Sequence, residues 1–170
     1  MTSLVLPAPI WRRLAAALYD GLLLAAIWLA GLSLDLLLRQ SLGLERNWTL
    51  LRLYLFLAGL TYFGLSWTRG GQTLGMRAWR LKLRRADGSS LRWPVAIVRY
   101  GAMLCAWGLT LAPFLIAALP AQAPLPHRET ALCVTALAAL AGWGSVLLDR
   151  RRRAPQDRLA GTELVLLPKT

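Results

Sequence analysis

Apolar residues along this chain gather into four blocks, at residues 14–38, 48–67, 95–119 and 131–148, separated by basic and turn-forming stretches. A helix rises 1.5 Å per residue, so about 20 residues cross a hydrocarbon core of roughly 30 Å. Each block therefore predicts a membrane-spanning helix. The first and third are long enough to tilt. Between the second and third blocks the pattern changes. In WRLKLRRADGSSLRW, Leu81 and Leu83 alternate with Arg80, Lys82 and Arg84, and Asp87-Gly88 follows. Period-two alternation ending in Asp-Gly predicts a β-hairpin, placed at 78–93. Its apolar face is expected against the helix ends or the bilayer. GTELVLLP near the C-terminus is a candidate third strand, because a two-stranded hairpin alone is only marginally stable. PAQAPLPHRE reads as a proline-broken external loop.

Composition sharpens this picture. The chain is 56% hydrophobic and 16% charged, against about 25% charged in soluble domains. The expected fold is an all-α membrane protein: four transmembrane helices in an antiparallel bundle and one small cytoplasmic β-element, with residues 1–170 as a single domain. The first apolar stretch is too long for a signal-peptide core and reads as a retained spanning helix.

The net charge is +12, from 20 Lys and Arg against 8 acids. Fifteen of those 20 fall before the first block, in the loop at 68–94 or in the tail at 149–170. Arg39, Arg46, Arg52 and Arg128 lie on the other side. The positive-inside rule then places both termini and the central loop in the cytoplasm of a bacterial inner membrane. Trp11, Trp48, Trp67 and Trp93 fall at the block ends, where an aromatic belt is expected. Basic residues flanking apolar blocks point to a bilayer with anionic headgroups as partner, and no nucleic-acid recognition module is visible. Cys105 and Cys133 lie inside apolar blocks as small filler. His127 is the one histidine, so no metal or other cofactor is expected.

Asp20 is the sharpest chemical signal. A carboxylate within an apolar span is functional or at least paired. Arg13 lies seven residues earlier on the same helix face, about 10 Å away along the axis. Arg99 enters the third block to a similar depth, which predicts an Asp20–Arg99 ion pair. Such a pair serves either to fix helix register or to move an ion or proton. Asp35, near the far end of the first block, reads as a solvated cap. Asp157, in QDRLAGT, is an acid in a basic segment and can meet Arg13 or the hairpin arginines.

Together these residues resemble the RDD family of membrane proteins, named for one arginine and two aspartates. The first pair matches Arg13 and Asp20 in RLAAALYD, and the second aspartate matches Asp157. GQTLGMRAWRLKLRRADGSSL is similar to the family's Gly-Gln-Thr-Leu-Gly stretch followed by a strand and an Asp-Gly turn, matching Gly71, Gln72, Thr73, Gly75, Asp87 and Gly88. Arg99 matches an arginine common after it. Arg80 stands where the family usually has glycine, and Gln156 where it usually has histidine or another polar residue. The resemblance covers about 11–165. It implies a multi-pass membrane protein for which transport is often supposed, with sodium/proton antiport attributed to some members.

No Walker loop, zinc-protease helix or nucleophile elbow is present, so the chain is not read as an enzyme. Two functions stand. One is a small transporter or transporter component, exchanging cation and proton through Asp20; four helices are few for a pathway, so a homodimer is expected. The other is a non-catalytic scaffold or assembly and regulatory module, meeting another membrane protein through its basic cytoplasmic face. They differ in whether Asp20 faces water or a sealed helix interface.

Overall fold

The computed structural model describes residues 7–120, 127–149 and 153–168. The loop at 121–126, the arginines at 150–152 and Lys169 lie outside them. In chain order the described elements are α1 (Ile10–Leu42), α2 (Trp48–Arg69), α3 (Leu74–Ala78), β1 (Leu81–Arg85), α4 (Trp93–Ala118), α5 (Arg128–Leu148), α6 (Pro155–Leu159) and β2 (Thr162–Leu166).

The four long helices correspond to the four apolar blocks, and each is long and apolar enough to cross a membrane. Local chemistry sets their ends. Gly43, with φ +63°, closes α1 in the left-handed region, where a residue without Cβ is unstrained. The Asn47 side chain accepts from the backbone N–H groups of Thr49 and Leu50 and starts α2. Pro94 opens α4 in the first turn, where its missing N–H costs nothing. The 33 residues of α1 reach about 50 Å, more than a hydrocarbon core requires.

Most of the helical surface is exposed and apolar: Leu22, Leu29, Leu37, Phe114, Leu137 and Leu140 all face outward. That surface matches lipid rather than water. Cys105 and Cys133 are on it too, so neither fills the interior. Between helices, polar side chains reach facing carbonyls. Trp28 Nε1 donates to Leu55 O at 3.1 Å and Tyr100 Oη to Phe56 O at 3.2 Å. Tyr100 lies where a Cβ on Gly59 would stand, so the small residue permits that crossing.

The true core sits at one end of the bundle, under the sheet. Leu81, Leu83 and Leu164 are buried with Ala8, Ala16, Trp67, Met76 and Leu91. The sheet is antiparallel, with Leu81 opposite Leu166, Leu83 opposite Leu164 and Arg85 opposite Thr162. β1 is thus where the alternation placed it, but its partner is the C-terminal segment and not the return arm of a hairpin. The Asp-Gly turn forms, with Gly88 N donating to Arg85 O at 2.9 Å. The return arm, Ser89 to Arg92, is not a strand. It is short, has two serines and leads directly into α4, whereas β2 supplies Leu164 and Leu166 on the pleat facing Leu83 and Leu81. The candidate third strand is therefore the second.

Trp11, Trp48 and Trp93 are exposed at helix ends, as an aromatic belt requires. Trp67 is not among them. It is 1% exposed and packs into the core.

Candidate functional site

Two buried polar clusters lie at the sheet end of the bundle. The first surrounds Asp20, which is 3% exposed on α1. Its carboxylate accepts from Tyr62 Oη at 2.7 Å, from Thr73 Oγ1 at 2.5 Å and from the backbone N–H of Gly75 at 2.9 Å. Three donors thus cover the two oxygens, which a buried carboxylate needs if no cation adjoins it.

The loop after α2 is built to deliver these donors. Gly71, at φ +67°, turns the chain so that its carbonyl accepts from Leu83 N at 2.7 Å. The Gln72 side chain donates to Leu81 O at 2.6 Å. Both bonds occupy the edge of β1 that β2 leaves open, as an otherwise bare edge requires. Thr73 caps α3 by accepting from Met76 N at 3.1 Å, while its own hydroxyl hydrogen goes to Asp20. Gly75 then lies flat on α1. A Cβ there would stand 2.9 Å from Asp20 Cγ and would also run into the Ala16 carbonyl. The short α3 is in this way fixed against α1.

The second cluster centres on Asp157, 1% exposed in α6. Its Oδ2 accepts from Arg13 Nη1 at 3.1 Å and from the Ala154 backbone N–H at 3.1 Å. Its Oδ1 accepts from Arg99 Nη1. Arg99, 5% exposed, also donates to Thr162 Oγ1 at 2.8 Å and stacks over Trp67, its guanidinium carbon 5.0 Å from the ring centroid. Arg13 reaches further, donating to Ala8 O at 3.2 Å and Leu164 O at 3.3 Å. One carboxylate therefore joins α1, α4, α6 and β2. Charge-assisted bonds of this kind are about twice as strong as neutral ones.

The expected Asp20–Arg99 pair does not form. Depth along two helices does not fix which way their side chains face. Arg99 turns to Asp157 and Trp67, and Asp20 turns to the loop between α2 and β1. Arg13 does meet Asp157. Asp87 and Gly88 belong to neither cluster: they form an exposed turn in which Asp87 accepts from Ser89 N and Oγ at 2.9 and 2.6 Å. Asp35 makes an ion pair with Arg39 at 2.8 Å, four residues on, where a solvated cap was expected.

The family profile of RDD proteins matches residues 7–161. The chain belongs to the RDD family. Comparison with curated proteins and with solved structures finds no match. In this RDD protein the motif residues divide between the clusters. Arg13, Arg99 and Asp157 form one; Asp20, Thr73 and Gly75 form the other, and Gly71 and Gln72 hold its loop to β1. Tyr62, Thr162 and Trp67 complete these clusters and were not singled out in the sequence as members of them. Tyr62 carried the one available signal, a phenol within a span, whose hydroxyl needs a partner when buried.

Proposed function

We propose that this RDD protein is a non-catalytic membrane module, a scaffold or an assembly and regulatory component, and that Asp20 holds its fold together. The observation behind this reading is the state of Asp20: it is buried, and its oxygens are taken by three hydrogen-bond donors. A carboxylate that exchanges cations needs free lone pairs and a route to water. Here both oxygens point at donors that the cation would have to displace.

The module sits in a bacterial inner membrane with both termini and the sheet on the cytoplasmic side, where the excess of Lys and Arg belongs. Its basic end meets anionic headgroups and a second membrane protein or a second copy of the chain. Cation and proton exchange through Asp20 is the competing reading. Cation-dependent proton flux in proteoliposomes, measured for the wild type and for Asp20→Asn at equal insertion and folding, separates them. The module reading expects no flux above empty liposomes from either protein. Wild-type flux that vanishes in Asp20→Asn would overturn it.

A further inference from the structure

Beside the sheet, apart from the bonds around Asp20 and Asp157, lies a cleft of about 590 Å³. Arg69 at the end of α2, Lys82 and Arg84 on β1, and Ser90 before α4 line it, and among the described residues no acid does. Lys82 and Arg84 share the pleat opposite Leu81 and Leu83, so the strand that buries leucines on one side presents two cations on the other. Arg84 is tied to Glu163 at 2.7 Å. Among the described residues Arg69 and Lys82 have no ion-pair partner, and Ser90 has no hydrogen bond to its hydroxyl. Trp67 forms part of the wall, and its buried indole N–H is without a hydrogen-bond partner.

The wall is shaped by backbone as well as charge. A Cβ on Gly71 would stand 2.7 Å from Leu83 O and 3.4 Å from Lys82 Cε, so the chain passes close beneath the lysine stem. The cleft also has a definite height. It begins at Trp67, in the last turn of a helix long and apolar enough to cross a membrane, which on the reading above is the level where the protein leaves the hydrocarbon. Phosphate groups of lipids lie at that level, and the apolar ends of β2 continue the wall beside the cations.

We propose that this cleft binds the phosphate of an anionic phospholipid headgroup, held by Arg69 and Lys82 and by the Ser90 hydroxyl. A guanidinium and an ammonium meet its charged oxygens, and the adjoining apolar surface takes the glycerol end. This rests on the reading above only in taking the sheet end to lie at a membrane surface.

The test is native mass spectrometry of the full chain in detergent, with phosphatidylglycerol or phosphatidylcholine added. Three proteins are compared: the wild type, Arg69→Gln with Lys82→Gln, and Arg85→Gln with Arg92→Gln. The last removes the same charge outside the cleft. All three are first matched for thermal midpoint. The proposal expects one phosphatidylglycerol retained per wild-type chain, in preference to phosphatidylcholine. Affinity falls about tenfold or more in the cleft variant and less than about twofold in the control. Equal losses in the two variants would reduce the effect to surface charge and overturn the site. Binding of inorganic phosphate to lipid-free protein, with displacement of the lipid at equal concentration, would assign the cleft to a soluble anion and overturn the lipid assignment. Neither result bears on the flux experiment, and flux through Asp20 would leave this cleft untouched.

Discussion

The backbone N–H of Gly75 donates to Oδ1 of Asp20 at 2.9 Å, and the approach leaves no room for a side chain. A conspicuous acid in a spanning helix and a glycine in a distant loop are thus two halves of one contact. Asp20 recruits the loop after α2, and that loop in turn covers the free edge of β1.

Gly75→Ala tests the closeness of this contact. The added methyl would meet Asp20 and the Ala16 carbonyl, neither of which is the free end of a flexible chain. Overpacking of this kind costs roughly 1–3 kcal/mol. A fall in thermal midpoint in detergent is expected, with Gly101→Ala as the control, since nothing lies within 4 Å of a Cβ there. Equal midpoints for the two variants would refute the close approach.

Arg80 has φ +56°, in the region where a side chain is strained and glycine is not. It begins the connection into β1, and its carbonyl accepts from Leu167 N at 2.8 Å, so the turn is held by the sheet it starts. Arg80→Gly removes the strain but frees the unfolded chain. A net gain of about 1 kcal/mol is expected. The check is a higher thermal midpoint; a lower one would contradict the left-handed assignment.

The Ser89 hydroxyl and then its backbone N–H hold the Asp87 carboxyl below its ordinary value. A carboxyl lowered on folding contributes stability above its unfolded pKa, and that contribution is lost as pH falls through the folded one. The turn at 85–89 should therefore stay ordered at neutral pH and loosen only below the ordinary carboxylate range. Ser89→Ala should move the Asp87 titration upward in a carboxyl-resolved NMR experiment. An unchanged titration would show that the hydrogen bond is not formed.

The four spans were legible in the sequence because lipid demands long apolar runs, and their bounds shift by only a few residues. β1 was legible because Leu81 and Leu83 alternate with cations. Its partner was less so: Asp87-Gly88 announces a turn, but a turn does not decide whether the arm after it pairs. Asp20 stood out for its charge. Thr73 and Gly75 stood out as motif residues but not as its partners, because they and Tyr62 are neutral, and a search for compensating charge leads to Arg99. Arg99 needed an acid, and that acid lay 58 residues away in sequence, in a segment read as a partner for Arg13 or the hairpin arginines rather than for the third span. Trp67 resembled an interfacial tryptophan because its position at a helix end is the same whether lipid or an arginine lies over it.

The central claim is that Arg99 belongs to Asp157 and Asp20 to the loop. Double-mutant cycles on thermal stability measure this directly: Arg99→Gln with Asp157→Asn, and Arg99→Gln with Asp20→Asn. Breaking one side of a buried pair costs about 3–5 kcal/mol, so the first cycle should show strong coupling. The second should be additive within about 0.5 kcal/mol, as for sites without shared partners. Strong coupling between Arg99 and Asp20, with none between Arg99 and Asp157, would contradict the account.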